Sequence, residues 1–81
     1  MELNDTIELM KSSDFKDRFK AEYYQLKIRT EKLADMIDKY EAGTLKFVPK
    51  CNIEILNVQY EFMKAYLHTL KERAIIEGIE L

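Results

Sequence analysis

Residues that interrupt helices are almost absent from this chain, and where they fall limits what it can become. It has two glycines and one proline in 81 residues, and Gly43 and Pro49 share one short window. A sheet of many strands needs many turns, and turns draw on glycine and proline. A chain this poor in both is expected to be helical, with one main joint.

Three segments follow from that joint. Residues 3–11 set Leu3, Ile7 and Met10 at helical spacing, with Asn4, Asp5 and Thr6 as caps. A helix this short is marginal alone and is expected to dock on the rest of the molecule. Residues 14–42 run without a breaker, from Ser12 or Ser13 as N-cap to Gly43 just past the end, with Asp14 and Asp17 in the first turn where the helix dipole favours acids. The apolar stripe of this long helix is Phe15, Phe19, Leu26, Leu33, Met36, Ile37 and Tyr40, with heptad-like steps of four and three. Residues 43–50, "GTLKFVPK", form the joint, with Leu45, Phe47 and Val48 placed to pack over the helix ends.

The third helix, residues 51–77 with Pro49 or Asn52 at its start, carries two stripes. One is Ile53, Leu56, Tyr60, Met63, Leu67, Leu70 and Ala74; the other is Ile55, Val58, Phe62, Tyr66 and Ile76. Together they cover more than half the circumference and leave a polar wedge of Glu54, Asn57, Glu61, Lys64, His68 and Glu72. One antiparallel partner covers one stripe, so the second is expected to be an interface between copies. A short chain buries only a modest core, and one cysteine and one histidine supply neither a disulfide framework nor a structural zinc site. Association is the remaining source of stability. The expectation is an all-α single domain over 1–81: a long helical hairpin with a short N-terminal helix docked on it, self-associating into a helical oligomer.

Thirteen Lys and Arg against fifteen Asp and Glu give a net charge of -2, which argues against a duplex nucleic-acid binder. No apolar run is long enough for a membrane span, and "MELNDTIELM" lacks the features of a signal peptide, so a cytoplasmic protein is expected.

Charge appears where leucine would be the simpler choice. Glu22 and Arg29 fall on the stripe of Phe15, Phe19, Leu26 and Leu33, with Arg18 an i, i+4 partner for Glu22. One reading is a partly buried salt-bridge network that fixes register or oligomer state. The other is a polar pocket for an anionic ligand, with an arginine repeated by symmetry and oriented by Glu22. The aromatic residues Tyr23, Tyr24, Tyr60, Phe62 and Tyr66 suit core or interface. Alternatively, Tyr23 or Tyr24 beside Arg18, Lys20 and Lys27 would stack a base while the cations hold a phosphate. The candidate ligand residues are therefore Arg18, Lys20, Tyr24, Lys27 and Arg29. His68 reads as solvated and Cys51 as a packing residue. No paired carboxylates, nucleophile elbow, phosphate loop or metal motif stands out, so neither an enzyme nor a resident cofactor or metal is expected.

The run "RFKAEYYQLKIRTEKLADMI" followed by "FMKAYLHTLKER" resembles a family of small helical proteins of tailed phages, including crAss-like phages. The matching positions are Arg18, Glu22, Leu26, Arg29, Lys32 and Leu33, then Met63, Tyr66, Leu67, Leu70 and Arg73, over about residues 15–75. The resemblance implies phage or prophage origin and a compact helical oligomer. Short phage proteins of this build include counter-defence factors, among them sponges that sequester cyclic or cyclised nucleotide immune signals between subunits. That activity would carry over by analogy of build and context. The function expected is such a sponge. The competing readings are an anti-CRISPR-like inhibitor or adaptor that docks on a host defence protein through the apolar face of the third helix, and a structural oligomer.

Overall fold

The computed structural model describes residues 1–81, all helical and without a strand. A 3-10 turn over Leu3–Thr6 leads into α1, Ile7–Lys11; α2 spans Phe15–Glu41 and α3 spans Ile53–Glu77.

Local chemistry sets each end. Asp14, rather than a serine, caps α2: its Oδ1 accepts from the Lys16 N–H at 2.9 Å. Ser12 acts one step earlier, its Oγ accepting from the Asp14 N–H at 3.0 Å and donating to Asp17 Oδ2 at 2.8 Å. A carboxylate at the cap adds its attraction for the helix dipole to the hydrogen bond, which a hydroxyl lacks. At the other end Gly43 takes a left-handed φ of 72°, and the Thr44 N–H reaches back to the Lys39 carbonyl at 2.9 Å. Asn52, not Pro49, opens α3, with Oδ1 accepting from the Ile55 N–H at 2.9 Å.

α3 ends in the same way at Gly78, φ 71°, where the Ile79 N–H donates to the Ala74 carbonyl at 2.8 Å. This turn folds Ile79 back into the core, which it shares with Phe19, Tyr23, Leu70 and Ala74. Tyr24, Leu26 and Leu67 pack around that cluster.

The buried seam of α2 differs from the expected stripe. Phe19, Leu26, Leu33 and Ile37 belong to it as expected, with Met36 half-buried beside them, but Tyr23 and Thr30 complete it, and Glu22, Arg29, Phe15 and Tyr40 are exposed. Steps of four and three through 19, 26 and 33 can be filled by 22, 29 and 36 or by 23, 30 and 37. Burying Glu22 and Arg29 would strip two charges of water, whereas Thr30 satisfies its own hydroxyl by donating to the Leu26 carbonyl at 2.6 Å. The partly buried salt-bridge network is therefore absent. The ion pairs are instead Asp35–Lys39, Glu61–Lys64, His68–Glu72 and Arg73–Glu77.

On α3 the first stripe faces α2, with Leu56, Leu70 and Ala74 buried and Ile53, Tyr60, Met63 and Leu67 half-buried. The polar wedge lies in solvent except for Asn57, which is half-buried. There the hydrogen bond from Lys64 to Glu61 holds the Lys64 ammonium pKa above its ordinary value. In the joint, Leu45 is half-buried, but Phe47 and Val48 point outward instead of packing over the helix ends, Val48 with 90% of its surface exposed. Cys51 is exposed too, so it is not a packing residue.

The N-terminal segment packs on α2 and makes no close approach to α3. Thr6, wholly buried, donates to the Leu3 carbonyl at 2.7 Å and accepts from Gln25 Nε2 at 3.0 Å, which fastens the segment to α2. The molecule measures 43 × 24 × 17 Å. Its radius of gyration is 15.0 Å, against about 12 Å for a compact chain of this length. No helix is long and apolar enough to cross a membrane.

Candidate functional site

With α1 on one flank of α2 and α3 on another, a groove remains between them, floored by α2. Residues 18, 22, 25 and 29 follow one another at steps of four, three and four, so they form one strip along a helix surface. In this chain the strip is Arg18, Glu22, Gln25 and Arg29, and all four line the groove. Ala21 and Leu26 lie at its sides, Met10 reaches it from α1 and Tyr66 from α3. The space measures about 490 Å³ and is open to solvent.

Each polar group in the groove has a defined position. Arg18 Nη1 donates to the Ser12 carbonyl at 2.9 Å, which ties the guanidinium to the turn before α2. The Tyr66 hydroxyl donates to Glu22 Oε2, linking α3 to the strip across the groove. Gln25 donates to Thr6 and to Met10 Sδ, the latter at 2.8 Å. Arg29 makes no ion pair or side-chain hydrogen bond within the chain, and neither arginine pairs with Glu22. The Cα positions of Arg18 and Arg29 are about 16 Å apart along the axis at about 1.5 Å per residue. Arg18 is held toward the turn before α2 by its bond to the Ser12 carbonyl, so the two guanidinium groups mark opposite ends of the groove.

Two guanidinium groups against one carboxylate leave the groove with an excess of positive charge. Planar forks of this kind bind phosphate or carboxylate oxygens through paired hydrogen bonds. Glu22 stands ready to accept from a ligand donor, and the Tyr66 ring offers a face for stacking. No group of three His, Cys, Asp or Glu side chains is arranged to hold a metal ion.

Of the five candidate ligand residues, Arg18 and Arg29 line the groove, with Glu22 between them, and Lys20, Tyr24 and Lys27 do not. Lys20 and Lys27 lie on the opposite side of α2, Lys27 in solvent and Lys20 half-buried. Tyr24 is half-buried, its ring edge-on to Tyr23 at 5.1 Å between centroids and packed on the core. None of these three lines the groove. Tyr66, expected only at an interface or in the aromatic set, lines it, and so do Gln25 and Met10. Gln25 was detectable in principle, since it continues the spacing of Arg18, Glu22 and Arg29. Met10 and Tyr66 come from other elements, and no spacing in the sequence reveals them.

The second stripe of α3 is exposed along its length: Ile55, Val58, Tyr66 and Ile76 all face solvent, and Phe62 retains 72% of its surface. Ile75, outside both stripes, is exposed as well.

Residues 13–76 match the family model described as Sequestin. No curated protein and no solved structure matches the chain. The match starts just before α2 and ends at residue 76, so it leaves out Met10 and the returning Ile79 but takes in all of α2 with its strip and all but the last residue of α3. Because it spans more than three quarters of the sequence, the chain belongs to the Sequestin family.

Proposed function

We propose that this protein is a non-enzymatic, cytoplasmic counter-defence protein of phage or prophage origin that sequesters a small nucleotide immune signal, with copies of the chain meeting around the bound molecule. The family's description, Sequestin, is consistent with sequestration of a ligand or signal. The observation that carries the reading is the groove: Arg18 and Arg29, neither paired with a carboxylate, open onto one space with Glu22 and Tyr66. The arginines would take phosphate oxygens, Tyr66 would stack a base, and Glu22 would accept from a ribose hydroxyl or a base amine. Sequestration needs slow release rather than chemistry. Charge-assisted bonds in a site that a second copy screens from water supply it.

Calorimetry with a panel of cyclic dinucleotides, cyclic trinucleotides and ADP-ribose derivatives tests this directly. At least one should give saturable heat. Arg29→Ala and Arg18→Ala should each weaken it about 10- to 100-fold, the scale of one charged hydrogen bond. Silence across the panel would overturn the reading.

The exposed stripe Ile55, Val58, Phe62 and Ile76 favours a second reading, an inhibitor or adaptor that lays α3 on a host defence protein. Co-purification from host lysate separates the two, because a sponge brings down no stoichiometric protein.

A further inference from the structure

We infer that Thr6 is a positioning residue for the groove: its buried hydroxyl turns the Gln25 amide so that the carbonyl oxygen, and not the NH2 group, is presented to a ligand. The inference rests on the groove being a ligand site and adds which donors and acceptors it offers.

The orientation follows from the hydrogens each group has to give. A threonine hydroxyl has one, and Thr6 donates it to the Leu3 carbonyl at 2.7 Å. Toward Gln25, 3.0 Å away, Thr6 Oγ1 therefore has only lone pairs to offer, and the group facing it must be the amide NH2. Met10 Sδ, the second partner of Gln25 Nε2, is a thioether and likewise only accepts. Turning the amide over would set Gln25 Oε1 against two acceptors at once. Thr6 is wholly buried, so water cannot relieve that clash.

The carbonyl end is left free. Gln25 spends its hydrogen bonds through Nε2, and its Oε1 accepts none within the chain. No buried side-chain oxygen lacks a partner, so Oε1 is open to solvent, on a residue that lines the groove. Glu22, three residues earlier and a neighbour on the helix surface, also keeps a free oxygen, since Tyr66 occupies only Oε2. From Arg18 through Glu22 and Gln25 to Arg29 the strip therefore reads donor, acceptor, acceptor, donor. With the amide reversed it would read donor, acceptor, donor, donor. The first pattern suits a ligand that is anionic toward its ends and carries hydroxyl or amine hydrogens between them; the second sets a donor against one of those hydrogens.

Thr6 acts through Gln25 and lines no part of the groove itself. It lies before the matched residues 13–76 and Gln25 lies within them, so the pattern is set by a segment that the family model does not cover.

Calorimetry with cyclic di-AMP, cyclic tri-AMP and ADP-ribose tests this, each probe set beside a 2′-deoxy form and a form in which hydrogen replaces the base amine. For a probe that binds, removing the donor that meets Gln25 should weaken affinity about fivefold or more, the scale of one hydrogen bond, and the analogue that loses it tells hydroxyl from amine. Thr6→Val, which keeps the shape and loses the hydroxyl, should cut that ratio by at least about twofold, and Thr6→Ser should retain it. Gln25→Met, which removes the acceptor itself, should lose the ratio as well. A change that merely loosened the groove wall would weaken probe and analogue alike, so the ratio reads orientation. A Thr6→Val protein with the full ratio, or a wild type indifferent to both analogues, would overturn the inference and leave the groove a ligand site. Silence across the probes would overturn both. In the free protein, nuclear Overhauser contacts should join the Gln25 side-chain amide protons to the Thr6 side chain and the Met10 methyl; their absence would overturn the orientation alone.

Discussion

α3 carries two seams of similar spacing and composition, and only one is buried. Toward α2, Leu56, Leu70 and Ala74 are closed off from water; away from it, Ile55, Val58, Phe62 and Ile76 remain in solvent. Helix propensity does not separate them, since both belong to the same 25 residues. The difference lies in what the chain can set against each. α2 offers a single apolar seam, and the only other element, the N-terminal segment, is fastened by Thr6 and Gln25 to a flank of α2 that never meets α3. A helix can therefore be fully formed and still be half-finished as a packing unit.

The sharpest way to test that contrast is to truncate each seam in turn. Leu70 is almost wholly buried, so Leu70→Ala should lower unfolding free energy by about 2–5 kcal/mol in urea titration. A small loss would mean that the inner seam is looser than its burial suggests. Asn52→Ala removes the cap of the helix both seams share and should cost about 1 kcal/mol by the same titration. Tyr66→Phe sits where the outer seam and the groove overlap; losing an exposed hydrogen bond to Glu22 should cost under about 1 kcal/mol of stability. The calorimetric response to the nucleotide panel should change more than stability does. Phe62→Ser, with its side chain already in water, should shift protomer stability by no more than about 0.5 kcal/mol when measured at a dilution where copies are apart. A loss as large as that of Leu70→Ala under those conditions would erase the distinction between the two faces.

The inner seam of α3 was legible residue by residue, because Ile53, Leu56, Tyr60, Met63, Leu67, Leu70 and Ala74 hold steps of three and four without a gap, whereas the outer stripe breaks between Tyr66 and Ile76. α2 was not. Phe19, Leu26 and Leu33 fit two seams equally well, and the deciding residues include Tyr23 and Thr30, which are not obviously apolar. Thr30 is a good core residue only because its hydroxyl turns back to the Leu26 carbonyl, and that bond exists only once the helix does. The same shift of one position moved Glu22 and Arg29 from the supposed core to the floor of an open groove. Of the two readings open to Arg18, Glu22 and Arg29, the buried salt-bridge network is absent, and the three residues line an open groove. Lys20 and Lys27 were grouped with Arg18 because they are near in sequence, although at about 100° per residue they point the other way.

The sequence determined the helices, their ends and the surplus of apolar surface on α3, because these depend on local spacing, on side chains that reach their own backbone, and on glycines free to take a left-handed turn. Tertiary structure alone decided which stripe of α2 is buried, that Ile79 folds back into the core, and that Met10 and Tyr66 stand beside Arg18 and Arg29. Those outcomes depend on the relative cost of burying one set of side chains rather than another against a particular neighbour, and that cost is undefined until the neighbour is in place.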